Sequence, residues 1–322
     1  MKTKLKAPMA NGLYVTICAA LLALPGTQVR AAERQTIHYR RPSAVTNSPP
    51  VALSVGWKRL NLALGLPLRN EAALDAFLRE LNDPAGPNYR HYLTPEQFTE
   101  RFGPTEQDYE ALIRFVQSHG LSVTARHPNR LVLDVKGMVP QIERTFHVKL
   151  RVYQHPTEAR TFYAPDQEPA IDLDVPVLSV SGLDDFTMPH PMSLKKTALS
   201  QVKEAGTGSG PSGTFMGYDF RAAYVPGAAL TGTGQTVGLL EFDSGYYASD
   251  ITKYEHQAGL PNVPVQAVLL DGYNGGAGDG NDEVSLDIEM AISMAPGLSG
   301  VLVYEGSVTD DILNRMATDN LA

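Results

Sequence analysis

Cysteine is almost absent from this sequence, whose 322 residues include only Cys18. A single cysteine excludes an intramolecular disulfide and any cysteine-based metal cluster. Cys18 also lies inside an apolar run and follows Ile17, a position that argues against a lipid anchor on its sulfur. The eight histidines are dispersed and form no His-x-x-x-His pair, so their spacing argues against a zinc site.

Positive charge is also scarce. Lysine and arginine number 27 against 35 acidic residues, which gives a net charge of −8. No basic cluster lies beyond the N-terminus, so we expect no nucleic-acid partner. No stretch after residue 24 is long and apolar enough for a membrane helix. The composition, 43% hydrophobic and 19% charged, is typical of a globular protein, and the length allows two domains.

The first 32 residues have the pattern of a secretory signal peptide. Residues 2–6 are rich in lysine, residues 13–24 are apolar, and residues 29–32 offer small side chains at a cleavage position. The apolar run ends at Pro25 and is too short to span a bilayer comfortably. We therefore predict a secreted or periplasmic protein without a membrane partner after the signal peptide is removed.

Residues 33–193 alternate strand-like and helix-like segments. Thr94 precedes Pro95, and Gln97 occupies the capping-box position, which together predict a helix start. Further helices are predicted at residues 71–81, 105–119 and 139–146, and strands at residues 54–66, 121–125, 130–135, 148–152 and 161–164. Elements of these lengths predict an α+β domain of the ferredoxin-like, split β-α-β type.

Residues 194–214 have the composition of a flexible linker. A stretch rich in glycine and serine at residues 207–213 follows the basic pair Lys195 and Lys196. Because proteases nick exposed segments of this kind, one interpretation is a processing site. A plain hinge between domains is the other.

Residues 215–322 alternate apolar strands with helices. Strands are predicted at residues 236–242, 263–270 and 298–304, and helices at residues 218–224, at residues 249–256 with Ser249 and Asp250 as the cap, around Glu283, and at residues 309–321. The near-continuous apolar character of the first strand predicts that it is buried in a parallel sheet. The alternation predicts an α/β domain with a doubly wound sheet. Three strands are few for such a sheet, so we expect the sequence to be truncated within this domain.

Glu283 and Asp287 lie four residues apart in a predicted helix that Pro296 and Gly297 terminate. Side chains at this spacing share one helix face, about 5–6 Å apart at Cβ. Two carboxylates this close cannot both ionise freely, so one pKa should rise and the pair should titrate together. A carboxyl group of raised pKa can act as a general acid or base. The alternative is an ordinary solvated helix with scattered acids.

Three further motifs are less specific. Gly232 and Gly234 precede a strand and open no helix, so they do not form a dinucleotide-binding fingerprint. The glycine-rich loop at residues 275–280 lacks EF-hand spacing, and we interpret it as a mobile loop at the rim of a cleft. Asp243 ends the first parallel strand, at the edge where sites form in α/β sheets. A simply solvated acid is the alternative there.

Three parts of the chain resemble the pro-form of the sedolisin (serine-carboxyl peptidase) family. Residues 91–98 (HYLTPEQF) and 102–104 (FGP) are similar to the hallmark of its pro-kumamolisin-type activation domain. Residues 220–224 and 232–237 resemble the start of its catalytic domain. Residues 283–289 (EVSLDIE) are similar to the segment that carries the family's catalytic Glu and Asp.

The resemblance implies four parts: a signal peptide at residues 1–32, an activation pro-domain at 33–193, a linker with a processing site at 194–214, and the N-terminal part of an α/β subtilisin-like parallel-sheet domain at 215–322. It implies the precursor of a secreted, acid-active serine-carboxyl endopeptidase that cleaves protein or peptide substrates. The pro-domain would be an intramolecular inhibitor and would assist folding.

Carried over to this sequence, the resemblance makes Glu283 the general base toward a serine nucleophile. Asp287 becomes the residue that hydrogen-bonds Glu283 and orients it. A carboxylate base is best suited to acidic pH. The family's Ser-Gly-Thr-Ser motif, oxyanion-hole Asp and calcium site have no match within these residues. We therefore expect calcium only in the complete family member and no cofactor in this chain.

Two other classes of function stay open. The chain can be a non-catalytic inhibitor or folding chaperone of a separate peptidase, which inhibition of a full-length relative by residues 33–195 would favour. It can also be an α+β binding module joined to a nucleotide-type α/β domain. The missing glycine fingerprint argues against that second class.

We predict that purified residues 1–322 do not hydrolyse peptide bonds, because the predicted base and its orienting acid have no serine in a nucleophile motif beside them. A fluorogenic peptide assay from acidic to neutral pH checks this. Measurable turnover that follows the protein through purification would contradict the prediction.

Overall fold

The computed structural model describes residues 34–52, 56–188 and 206–322. The predicted signal peptide and residues 194–205 of the predicted linker lie outside the described residues, so those two predictions stay predictions. The described chain is a mixed α/β protein with several small sheets, of which one is parallel.

A four-stranded antiparallel sheet organises the first part of the chain. Its strands are β2 (Arg59–Gly65), β3 (Ser122–Arg126), β4 (Val132–Met138) and β8 (Ser179–Ser181), in the order β3-β4-β2-β8. Two antiparallel pairs flank this sheet. The first joins β1 (Arg34–Thr36) to β7 (Ala170–Asp172), and the second joins β5 (Leu150–Gln154) to β6 (Thr161–Pro165).

Among the described residues, five α-helices accompany these strands: α1 (Ser43–Asn47), α2 (Glu71–Asn82), α3 (Pro95–Phe102), α4 (Glu106–Ser118) and α5 (Val139–Thr145). Helix α4 presents Leu112, Ile113 and Val116 to the core, where they pack with side chains of β2 and β4 such as Leu64 and Leu133. The predicted helix at residues 105–119 is thus confirmed, and its apolar stripe covers the sheet.

The helix starts predicted from capping residues are confirmed in this part of the chain. The backbone N–H of Gln97 donates to Thr94 Oγ1 at 3.3 Å, and the N–H of Thr94 donates to Gln97 Oε1 at 3.0 Å. Thr105 caps α4 in the same way, since its Oγ1 accepts from the N–H of Asp108 at 3.1 Å. These bonds, reciprocal at Thr94 and one-way at Thr105, satisfy amide groups that a helix start otherwise leaves unpaired.

The strand predicted at residues 54–66 begins later than expected, at Arg59. Gly56 has a φ of +78°, a left-handed conformation that an extended chain does not adopt. Trp57, the next residue, is 82% exposed. Because apolar and polar residues also alternate before this turn, the prediction placed the start of the strand too early in the chain.

A three-stranded parallel sheet organises the second part. Its strands are β9 (Thr236–Phe242), β10 (Val265–Leu269) and β11 (Gly300–Gly306), in the order β10-β11-β9. The predicted parallel pairing of residues 236–242 is confirmed. Their predicted burial is wrong for most of the strand, because β9 pairs on one side only among the described residues and is largely half-buried.

Four helices belong to this part: α6 (Tyr218–Tyr224), α7 (Ala248–Ala258), α8 (Asn281–Met294) and α9 (Thr309–Asp319). Helix α8 buries Val284, Ile288 and Ile292 against Val301 and Val303 of β11. Among the helices of the described ranges, none has both the length and the apolar character needed to cross a membrane.

The cap predicted at Ser249 is wrong. Helix α7 begins at Ala248, so Ser249 already lies within its first turn, and Tyr247 occupies the N-cap position without a side-chain bond. A serine beside an aspartate resembles a cap in sequence, but the helix starts one residue earlier.

The glycine-rich stretch at residues 207–213 forms turns. The N–H of Gly208 donates to the carbonyl of Gly213 at 3.1 Å, and the N–H of Gly210 donates to that of Thr214 at 2.8 Å. The carboxylate of Asp219 accepts from the N–H groups of Ser209 and Met216 at 2.7 and 3.0 Å. These bonds hold the Asp219 pKa below its ordinary value, and they give the stretch a conformation that composition alone does not predict.

We predict that Leu112→Ala lowers the free energy of unfolding by about 2–5 kcal/mol, because it leaves a cavity at a fully buried position. The matched control is Leu78→Ala on α2, where the side chain is 44% exposed and the loss should stay below about 1 kcal/mol. Urea denaturation followed by circular dichroism compares the two. Equal losses would contradict the assignment of Leu112 to the core.

Candidate active site

Helix α8 places both predicted site residues at the C-terminal edge of the parallel sheet. Glu283 and Asp287 lie one turn apart on the helix, as their spacing predicts. The buried residues Val284 and Ile288 fix the helix against the sheet. Glu283 is half-buried, whereas Asp287 is exposed. The helix therefore presents a pair of carboxyl groups at the boundary between protein and solvent.

Two buried glutamates that the sequence analysis missed lie at the same edge. Glu241 of β9 is the register partner of Glu305 of β11. Glu241 is 5% exposed and Glu305 is 1% exposed, and each has a buried carboxylate oxygen without a hydrogen-bond partner. Both end an apolar run, Val-Gly-Leu-Leu-Glu and Val-Leu-Val-Tyr-Glu. An acid at the end of an apolar strand was the signal that could have identified them.

The carboxyl groups of the parallel sheet interact with those of α8. Burial raises the pKa of Glu241 to about 8, and the charges of Asp287, Glu283 and Glu305 add to the rise. Glu241 therefore keeps its proton at neutral pH and hydrogen-bonds Asp287, which accepts as a carboxylate. Burial raises the pKa of Asp287, and the bond from Glu241 acts in the opposite direction.

The hydrogen bond of Asp287 differs from the one that the family resemblance implies. That resemblance pairs Asp287 with Glu283, whereas the structure connects Asp287 to Glu241. No hydrogen bond joins the Glu283 and Asp287 side chains in the described part of the chain. The rise in the pKa of one member of the pair is as predicted, but burial is its main cause.

Glu305 lies beneath two loops. Burial raises its pKa to about 7. A Cβ atom added at Gly245 would lie 3.0 Å from Glu305 Oε2 and 2.6 Å from the carbonyl of Gly275. A side chain at position 245 would therefore collide with the acid or with the loop, so only glycine allows this close approach.

The loop at residues 273–280 is hydrogen-bonded to the turn after β9. The N–H of Gly245 donates to the carbonyl of Gly276 at 3.1 Å, and the N–H of Gly278 donates to Ser244 Oγ at 3.3 Å. The loop thus lies beside the carboxyl cluster, and its predicted place at the rim of a cleft stays a prediction. Its predicted mobility stays a prediction.

Asp243 also lies at this edge, directly after β9 and with a φ of +45°. Burial raises its pKa, and the charge of Asp271 adds to the rise. Asp243 is absent from the groups that raise the pKa of Glu241. Its electrostatic partner is therefore Asp271, outside the cluster of Glu241, Glu283, Asp287 and Glu305.

This arrangement can hold and exchange a proton. Carboxyl groups packed together cannot all be ionised, so a proton stays within the cluster near neutral pH. Glu283 is half-buried, so its carboxyl group can be reached from solvent. Among the described residues, no serine hydroxyl hydrogen-bonds its carboxylate, and Ser285 Oγ has no hydrogen-bond partner.

Comparison with known proteins identifies relatives. Residues 56–186 match the family described as "Pro-kumamolisin, activation domain". Kumamolisin of Bacillus sp. (strain MN-32) is 26% identical over 288 residues, and sedolisin of Pseudomonas sp. (strain 101) is 27% identical over 309 residues. Xanthomonalisin of Xanthomonas sp. (strain T-22) is 26% identical over 283 residues. The chain thus has homologues among sedolisin-type proteins, at 26–27% identity over most of its length.

The homology extends over most of the chain but not over most of each relative. The aligned regions cover 87% of this chain and 51% of kumamolisin, 92% and 51% for sedolisin, and 82% and 34% for xanthomonalisin. The chain thus spans about half the length of the first two relatives. Within it, the match at residues 56–186 confirms the activation domain implied by the sequence resemblance.

We predict that Glu241→Gln makes stability less dependent on pH. The pKa of about 8 in the folded protein lies above the ordinary 4.5. The stabilisation from the bound proton is therefore fully present below about pH 4.5 and is lost as pH rises through about 8. Each pKa unit corresponds to about 1.4 kcal/mol of stability. Because glutamine cannot ionise, the free energy of unfolding of the variant should fall by at least about 1 kcal/mol less than that of the wild type as pH rises.

Urea denaturation at about pH 5 and about pH 9, on either side of the raised pKa, measures this change. Glu71→Gln on α2, where the side chain is exposed, is the matched control and should follow the wild type. If Glu241→Gln loses as much stability as the control over that interval, Glu241 does not carry the proton.

Proposed function

We propose that the whole protein is the precursor of a secreted, acid-active endopeptidase of the sedolisin type. The observation that carries the proposal is the pair Glu283 and Asp287 on α8, in contact with the buried acid Glu241 and preceded by an activation domain. Homology to kumamolisin and sedolisin supports a serine peptidase with an activation peptide.

In this proposal Glu283 is the general base. It takes the proton of a serine hydroxyl as the serine oxygen attacks the peptide carbonyl, and an acyl-enzyme forms. The serine would lie outside the present 322 residues, which alone would be inactive. Asp287 would orient Glu283 in the complete protein through a bond that the described residues do not contain, while protonated Glu241 would keep Asp287 in place through the hydrogen bond between them.

Acidic pH suits this chemistry. A carboxylate base works best near its own pKa, and glutamate ordinarily titrates well below neutral pH. The shared proton between Glu241 and Asp287 would limit the negative charge around Glu283. The cluster is thus consistent with a peptidase that works in acid.

The domain organisation follows the same proposal. Residues 1–32 would be a signal peptide and residues 194–214 would contain the processing site. The activation domain would assist folding and inhibit the enzyme from within the chain. The antiparallel order β3-β4-β2-β8 supports a ferredoxin-like activation domain, and the parallel order β10-β11-β9 supports a subtilisin-like catalytic domain. Calcium would bind in the complete protein, outside these residues.

A second candidate function is that of a non-catalytic inhibitor or folding chaperone for a separate peptidase. It is favoured by the match to the activation domain together with the absence, among the described residues, of a serine bonded to Glu283. Addition of the purified chain to active kumamolisin tests it. Stoichiometric inhibition supports this role, and no effect at excess chain argues against it.

We predict that Glu283→Gln lowers kcat by about 10²–10⁴-fold in the protein translated from the longest reading frame that contains these residues, since this is the usual contribution of a general base. Hydrolysis of a fluorogenic peptide at acidic pH is the measurement. Glu289→Gln, on the same helix but outside the carboxyl cluster, is the matched control and should keep kcat within about threefold. Comparable activity of Glu283→Gln and the control would exclude Glu283 as the base.

A further inference from the structure

A second cluster of titratable side chains lies away from the candidate active site, where the activation domain contacts α9. His127 follows β3, Asp134 belongs to β4, and Asp311 lies in the first turn of α9. Their exposures are 7%, 6% and 3%. One potential ligand atom from each residue lies within 4.8 Å of the other two.

Both carboxylates of this cluster approach the same imidazole nitrogen. Asp134 Oδ2 lies 2.6 Å from His127 Nε2, and Asp311 Oδ1 lies 2.9 Å from it. One ring nitrogen carries at most one hydrogen, and that hydrogen is directed to Asp134. Asp311 Oδ1 is left buried and without a hydrogen bond. A buried carboxylate oxygen in this state is costly unless another positive group satisfies it.

A third carboxyl group lies beside the cluster and adds negative charge only when it is ionised. Asp271 hydrogen-bonds Asp311, and its Oδ2 accepts from the N–H groups of Ser307 and Val308 at 2.8 and 3.0 Å. Lys136 lines one cavity together with Asp134, Asp271 and Asp311, whereas the two arginines at the neighbouring surface form ion pairs of their own. Arg126 binds Glu110 at 2.9 Å, and Arg315 binds Asp319 at 2.7 Å.

We propose that His127, Asp134 and Asp311 form a binding site for a divalent transition-metal ion, with zinc as the best match and Asp271 as an available fourth ligand. Zinc binds imidazole nitrogen and carboxylate oxygen at about 2.0–2.2 Å, with four ligands in structural sites. Two negative ligands and a neutral imidazole balance the ion's charge. A cation would also satisfy Asp311 Oδ1, which the hydrogen bonds of the described residues leave unpaired.

The ligand atoms can separate enough to admit a metal ion, and neighbouring cavities give the ion a route to them. Tetrahedral ligands at those bond lengths are roughly 3.4 Å apart, so the two carboxylates must move away from Nε2 by several tenths of an ångström. Cavities of about 350 Å³ and about 300 Å³ both border Asp271 and Asp311. An ion bound there would hold the activation domain to α9, beside the hydrogen bond from Asn129 Nδ2 to Thr318 Oγ1 at 3.2 Å.

An ion pair without metal is the competing explanation. Burial lowers the pKa of His127, but the two carboxylates outweigh burial and raise it to about 9. A protonated imidazole between Asp134 and Asp311 then needs no further cation. The two explanations differ in whether the folded chain takes up zinc.

Zinc binding to the whole purified chain distinguishes them. After removal of metal with a chelator, equilibrium dialysis against zinc and metal analysis should find one ion per chain. His127→Gln and Asp311→Asn should each weaken binding at least about tenfold. Asp310→Asn, an exposed acid one residue away on α9, is the matched control and should bind as the wild type does.

Cobalt provides a second measurement that needs no variant. Cobalt(II) bound to nitrogen and oxygen ligands in a four-coordinate site should give visible absorption bands, and zinc should displace them. Circular dichroism verifies that each variant is folded. If the folded wild type binds no stoichiometric zinc, or if its cobalt complex lacks those bands, the cluster is an ion pair only. Unchanged zinc binding in both folded variants would overturn the proposal equally.

Discussion

The in-register pairing of β9 with β11 is the constraint on which the candidate active site depends. It sets Glu241 opposite Glu305 at the end of two apolar strands. Helix α8, fixed by Ile288 and its neighbours, then brings Asp287 within hydrogen-bonding reach of Glu241. Burial alone raises the pKa of Glu305, whereas the charges on α8 add to the effect of burial on Glu241. Burial by the sheet and charge from the helix together keep a proton in the cluster, and the close approach at Gly245 allows a loop to cover it.

The activation domain and the parallel-sheet part meet through polar contacts as well as packing. His127 contacts Asp311, Asn129 bonds to α9, and Ser181 Oγ donates to Asp310 Oδ2 at 2.5 Å. Buried polar contacts fix one arrangement of two surfaces more strictly than apolar packing does, because a shift leaves charged atoms without partners. The same contacts therefore hold the activation domain and the parallel-sheet part in one defined orientation.

Local features were predictable from the sequence, and contacts between distant segments were not. The cap at Thr94 and the placement of Glu283 and Asp287 on one helix depend on residues three or four positions apart. The role of Glu241 depends on strand register and on α8, which no spacing along the chain reveals. The proximity of Asp311 to His127 likewise arises only through the fold, so histidine spacing cannot reveal that cluster.

Asp219 has a consequence for how such a precursor could be cut. Peptidases bind their substrates as extended strands, so a folded segment must first give up its internal hydrogen bonds. The carboxylate of Asp219 accepts from Ser209 and Met216, and the turn at Gly208 and Gly210 adds backbone bonds. Proteolysis within residues 206–219 would require these hydrogen bonds to break first. The part of the predicted linker that looks most susceptible by composition is therefore held by a set of hydrogen bonds to which Asp219 contributes two from backbone amides.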